Sequence, residues 1–348
     1  MKTPSSSNMQ LPIDNHPWKT FIFLLGLTTA VGLIFFLRII LGDPLVRTGD
    51  LALIIQGNDV PVLSFVVLEH RLPAATVGLL VGIALGISGT IFQTLLRNPL
   101  ASPDVIGVSY GASTAAIIAI TLFSAQETTI FGSALLGALL STLLVLWVSR
   151  GRGGAFILVG IAISAALQGA ISFLLSRSDI HVAQDALRWM IGSLNGSTWE
   201  RAQILTLSIV VLIFLLAFFL SHLKILELGN ETATSLGLNP SFSTLALILI
   251  AVCFNAFSVA VTGPISFVAL LSGPIAQYLI KAIFHTGIPR AYTFITSGLI
   301  GALIVLLADL LGQSMFPEVR LPAGVITGII DTPFLLTLLI KNPQLRRE

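Results

Sequence analysis

Charge is scarce in this sequence. Only 10% of its 348 residues are Asp, Glu, Lys or Arg, against about a quarter in ordinary soluble domains. A soluble fold so poor in charge could not cover its own surface, so most of that surface must face lipid. The net charge of +2 and the lack of a basic stripe with interleaved aromatics give no reason to expect a nucleic-acid partner. A single cysteine, Cys253, lies inside an apolar run, which excludes an intrachain disulfide and a cysteine metal cluster. The histidines (His16, His70, His181, His222 and His285) are scattered without ligand spacing, so no metal site is expected. No G-x-x-x-x-G-K-[ST] segment occurs, so the chain does not hydrolyse nucleotide by a P-loop.

Apolar residues are abundant instead: 55% of the chain, with a mean hydropathy of +0.97. They fall into stretches at 21–41, 74–96, 105–123, 130–148, 155–175, 204–220, 242–261, 267–284, 292–311 and 323–340. Each is about one bilayer long or somewhat shorter, which predicts an all-α integral membrane protein of about ten transmembrane helices. The first is read as an uncleaved span, anchored at the water boundary by Trp18 and Lys19. Residues 1–17 then form an N-terminal tail, 18–341 a transmembrane domain with an inner loop at about 222–240, and 342–348 a C-terminal tail.

The excess of basic residues orients the spans. With the N-terminus inside, Lys2, Lys19, Arg97, Arg150, Arg152, Lys224, Lys281, Arg290, Lys341, Arg346 and Arg347 fall inside. Arg38, Arg47, Arg71, Arg177, Arg188, Arg201 and Arg320 fall outside. Both termini are expected in the cytoplasm. Gly78, Gly82 and Gly86 repeat every fourth residue and predict a face of close helix packing.

Three stretches do not read as lipid-facing helix. One is Arg71-Leu-Pro, followed by the glycine-rich span and then Gln93-x-x-x-Arg97-Asn98-Pro99-Leu100-Ala101-Ser102-Pro103-Asp104, where the prolines stop one helix and allow another to start. The next runs from Leu228 to Pro240, short and bounded by Gly and Pro. It predicts a small surface helix with Ala233 and Leu236 on one face. The last, from Gly263 to Ala276, holds two Gly-Pro pairs that break an apolar run, as happens where backbone lines or skirts a cavity.

On these stretches, together with the closing Leu321-Pro322-Ala323-Gly324-Val325-Ile326-Thr327, the chain resembles the FecCD family of binding-protein-dependent permeases, which includes vitamin B12 and iron–siderophore importers. The resemblance implies a permease of the bacterial cytoplasmic (inner) membrane that performs no covalent chemistry. It also implies a second permease subunit around a central path, two cytoplasmic ATPase subunits that carry ATP and Mg, and an extracytoplasmic substrate-binding protein. No cofactor is expected on this chain.

Residue by residue, Glu231-x-Ala233-x-x-x-Gly237, with Leu228, Gly229 and Leu236, resembles the loop such importers press into the ATPase. Ala233 is then small enough for close approach. Arg71 resembles an arginine that faces acids on the binding protein, and Arg320 stands where the family commonly has an acid. Ala74 replaces a second common arginine, and the segment from Gly273 to Gln277 also departs from the family pattern. These departures fit one half of a heterodimer. The segment from Arg97 to Gly107 looks most like the siderophore branch, so a ferric siderophore is the expected substrate, with cobalamin or haem as the alternative.

Polar residues within the apolar runs offer path-lining candidates: Gln93, Asn98, Ser164 and Gln168. Asn255 also falls in such a run. Asp309 reads as a solvated or capped acid near an outer helix end. Asp331 is the least comfortable residue, because a carboxylate near a span centre costs about 2.5–3.5 kcal/mol on insertion. The two acids are the features that favour a rival from another class, an ion-coupled secondary carrier. The loop from Glu231 to Gly237 argues against it.

Overall fold

A computed structural model describes residues 17–58, 60–104, 106–149, 153–284, 289–314 and 320–341. The two expected tails, at 1–16 and 342–348, and the Asp331 side chain lie outside the described residues. Among the described residues every regular element is helical. In chain order these are α1 (Pro17–Ile40), α2 (Thr48–Ile55), α3 (Leu63–Phe65), a π-helical turn (Val66–Arg71), α4 (Leu72–Leu96), α5 (Val108–Phe123), α6 (Glu127–Ser149) and α7 (Gly153–Arg177). Then follow α8 (Ile180–Ile191), α9 (Trp199–Glu227), α10 (Asn230–Ser235), α11 (Pro240–Thr262), α12 (Val268–Ile283), α13 (Arg290–Ser314) and α14 (Ala323–Lys341).

Each of the ten apolar stretches falls on a helix of this series: α1, α4, α5, α6, α7, α9, α11, α12, α13 or α14. Among the described residues, seven helical stretches are long and apolar enough to cross a membrane, and α5 and α12 are shorter apolar helices of 16 residues each. The expectation missed α2 and α8. Both are short, and α8 carries His181, Asp185 and Arg188 among its apolar residues, so hydropathy alone passes over it.

We call the face where α1 begins proximal and the opposite face distal. Phe23 meets the ring of Phe284 edge-on at 6.0 Å, so the end of α12 shares the proximal face with the start of α1. The end of α4 meets the end of α9 and the start of α6 meets the start of α9, so the apolar helices alternate between the faces once the shorter α5 and α12 are counted. Among the long helices α4 is the most buried, and α1 and α7 are among the least.

Lipid tails are as apolar as the helices, so burial of apolar surface does not drive helix against helix here. Close van der Waals approach does. Along α4 the glycines supply it: a Cβ at Gly82 would lie 2.4 Å from the Ala302 Cα, and one at Gly86 would lie 2.2 Å from the Ser297 carbonyl oxygen. Any larger residue would push α13 away. The α4–α13 pair is therefore a close-packed spine for the molecule. Ser88 adds a hydrogen bond from its hydroxyl to the Ala251 carbonyl of α11, at 2.6 Å.

Two non-helical segments explain the short helices. Residues 97–104 turn inward after α4, and α5 begins where a Cβ at Gly107 would meet Ser164 Oγ at 2.9 Å, well inside α7. Ser109, on the first turn of α5, donates to the Asp104 carboxylate and accepts from Asn255 of α11 at 3.4 Å. Residues 263–267 similarly delay α12, which starts against the proximal half of α4. A Cβ at Gly89 would overlap the Ala269 carbonyl there.

Candidate functional site

At the distal face the expected docking arginine is not at the surface. Arg71 is buried, and its guanidinium donates to the carbonyls of Ile39 (2.8 Å), Ile40 (3.1 Å) and Pro44 (2.6 Å). It supplies donors to the last turn of α1, whose final carbonyls have no intrahelical partner. This corrects the expectation of a solvent-facing Arg71, because the turn at 41–47 folds over it. Arg320 is exposed, 3.5 Å from the Asp43 carbonyl. Asp309 is likewise not the solvated acid expected: it is buried and paired with Arg38, tying α1 to α13, and Gln313 donates to it at 3.2 Å.

The four path-lining candidates separate. Gln93 is buried between α4 and α12, with its side-chain amide donating to the Leu270 carbonyl at 2.9 Å. It faces protein, not an open path, which corrects that expectation. Asn98 shapes the turn after α4: its Oδ1 accepts from the Leu100 N–H at 2.9 Å, and its own N–H reaches the Gln93 carbonyl at 3.1 Å. Ser164 is buried and bonds back to the Gly160 carbonyl at 2.8 Å. Gln168 alone of the four is exposed, on the same helix as the exposed Gly169 and Ser172.

At the proximal face the loop between α9 and α11 folds as expected into a short helix, α10 (Asn230–Ser235). Its end is a hydrogen-bonded left-handed cap. Gly237 has φ +82°, its N–H reaches the Thr234 carbonyl at 2.9 Å, and the Leu238 N–H reaches the Ala233 carbonyl at 3.0 Å. Nothing lies within 4 Å of a Cβ built at Gly237, so glycine serves the backbone conformation there and not close packing. Glu231 is exposed in the first turn, where a carboxylate is favoured by the helix dipole. After the loop, Asn239 caps α11 by accepting from the Phe242 N–H at 3.1 Å.

One expectation for this helix reverses. Ala233 is wholly buried, against the molecule's own core, while Leu228 and Leu236 are 65% and 60% exposed. So helical a segment lying along α9 and α11 must turn one residue inward, and the smallest allows the closest seat. The exposed residues of this segment therefore include Leu228, Leu236 and Glu231, without Ala233.

Beside α10 opens a cavity of about 480 Å³, lined in part by Thr94, Arg97, Glu227, Gly229 and Glu231. Its charged groups are organised. Arg97 Nη2 donates to the Leu226 and Glu227 carbonyls at 3.2 Å each. Arg290 grips the Glu227 carboxylate through two nitrogens, at 2.5 and 3.1 Å. In the sequence Arg97 stands out only as an inner charge and as part of a family-like segment, Arg290 only as an inner charge, and Glu227 not at all. No local pattern pairs residues so far apart in the chain.

The sequence profile of the FecCD transport family matches residues 30–341. The chain is 36% identical over 307 residues to the ferric enterobactin transport system permease protein FepG of Escherichia coli strain K12, covering 87% of this chain and 91% of that one. It is 35% identical over 281 residues to the Fe(3+)-citrate import system permease protein YfmE of Bacillus subtilis strain 168, covering 79% and 82%. Among solved structures it resembles an inward-facing conformation of a proposed metal-chelate type ABC transporter, with a TM-score of 0.79 at 24% identity, covering 93% of this chain and all of that one. At that identity the likeness speaks for the fold alone.

Proposed function

The chain belongs to the FecCD transport family, and from that membership we propose that it is the permease through which an ATP-driven importer admits a ferric siderophore. It is a multi-pass membrane subunit and not an enzyme; ATP hydrolysis belongs to a separate chain. The observation that carries the cargo class is the extended identity with permeases named for ferric enterobactin and ferric citrate. Cobalamin and haem are less well supported, since those relatives are named for ferric chelates.

In this reading the proximal face is cytoplasmic and α10 is the coupling element. Leu236, Leu228 and Glu231 meet an ATPase groove, as short helices do elsewhere. The distal face receives the binding protein, with Arg320 among its exposed charges. Gln168, on the exposed face of α7, lines a path completed by a second permease, in a heterodimer. The carrier reading loses one of its two acids, because Asp309 is held by Arg38 rather than free to exchange an ion.

Reconstitution tests the proposal. Proteoliposomes holding this chain, its permease and ATPase partners and the loaded binding protein should accumulate radio-iron given as ferric enterobactin, ferric citrate or a ferric hydroxamate, only with ATP inside. Uptake by this chain without an ATPase would favour the ion-coupled carrier. Uptake of cobalamin or haem, with none of the ferric chelates, would replace the cargo.

A further inference from the structure

The two-residue hinge before α10 is gripped from two directions. Helix α9 ends at Glu227, and only Leu228 and Gly229 separate it from α10. Left to itself such a joint would bend, because Gly229 has φ +106° with nothing within 4 Å of a Cβ there. Arg97 reaches the last two carbonyls of α9 from the end of α4, and Arg290 takes the Glu227 carboxylate from the first residue of α13. The arginine pairing is two-pronged, which fixes direction as well as distance. Both arginines belong to the close-packed α4–α13 spine. Arg97 also stands in the left-handed conformation at φ 51°, a strained choice for a non-glycine residue, and one that accompanies its reach to α9.

We propose that the Glu227–Arg290 ion pair, with Arg97 on the end of α9, is the linkage that delivers motion of α10 to the α4–α13 spine. This rests on α10 being the contact with the ATPase. Glu227, Arg290 and Arg97 are positioning residues that touch neither cargo nor nucleotide. As a partly exposed pair, Glu227–Arg290 contributes little to folding stability. Its use is geometric: without it, a push on α10 is absorbed by rotation at Leu228–Gly229 instead of being passed on.

The test uses the full importer in proteoliposomes, with Cys253→Ala and spin labels at cysteines replacing Ser235 on α10 and Ile295 on α13. In the parent the distance distribution stays narrow with and without ATP. Glu227→Gln or Arg290→Gln broadens it and lowers ferric-chelate uptake per ATP hydrolysed by about fivefold or more, with the ATPase still co-purifying. The exchange Glu227→Arg with Arg290→Glu restores both. Unchanged distances and uptake in both single variants, or no recovery in the exchange, overturn the linkage. Leu236→Asp, with the labels left in place, separates the two ideas. If it releases the ATPase while Glu227→Gln is silent, only the linkage fails. If the ATPase stays bound and transport continues, the coupling role of α10 fails with it.

Discussion

Gln93 donates its side-chain N–H to the carbonyl of Leu270 at 2.9 Å, and that carbonyl is the one Pro274 leaves without a helical partner. In an α-helix the Leu270 carbonyl would accept from residue 274, which as proline has no N–H. Gly273 completes the arrangement, since a Cβ there would sit 2.0 Å from Gln93 Oε1. The Gly-Pro pair that interrupts this apolar run is thus half of a joint between α12 and α4. The other half is a residue nearly two hundred positions earlier.

Replacing Gln93 with Leu should lower stability by on the order of 1–3 kcal/mol, the usual effect of stranding a buried polar group. In a Pro274→Ala background the loss should shrink, because the new N–H takes the Leu270 carbonyl. Thermal unfolding in detergent of the two single variants and the double variant decides it, and simple additivity would dismiss the joint.

Arg71 and Arg320 should behave oppositely. Arg71→Gln strands carbonyls at the end of α1 and should lower the unfolding temperature, whatever the salt concentration. Arg320→Glu should leave that temperature within error and weaken capture of the binding protein, most of all at low ionic strength. If Arg71→Gln is as stable as the parent, its three hydrogen bonds are incidental.

The cap of α10 should be sensitive to backbone shape and indifferent to bulk. Gly237→Val forces a β-branched residue into the left-handed region at a cost of roughly 1–2 kcal/mol, and should reduce ATPase attachment measured by co-purification. Gly237→Asn should be much milder, since asparagine tolerates that region. Ala233→Trp, with no room at a buried seat, should lower stability of the permease even in the absence of its partners. Equal effects of Val and Asn at 237 would contradict the cap.

Orientation is checked with single cysteines after Cys253→Ala. A cysteine at Ser235 should be shielded from an impermeant thiol reagent added to intact cells, and one at Gly196 should react. Both positions are exposed in the fold, so burial within this chain does not account for a difference. Labelling at Ser235 from outside would invert the assignment of the two faces.

What the sequence determined by itself is whatever depends on a stretch of chain and its solvent. Apolar runs of near-bilayer length must become helices in lipid, because no water remains there to satisfy an unpaired backbone, and each run does fall on a helix. The caps of α10 and α11 depend on short stretches of chain in the same way, since Gly237 and Asn239 act on atoms only a few residues away. Tertiary structure decided everything that joins distant positions. Arg71 turned from a docking charge into support for α1, Asp309 from a solvated acid into the partner of Arg38, and Gln93 from a path residue into the joint with Leu270. Ala233 turned inward because a short helix shows one side to its own molecule, and hydropathy along the chain carries no sign for which side. The grip of Arg290 on Glu227 has the same origin: a charge is visible in sequence, but its partner is set by how helices pack.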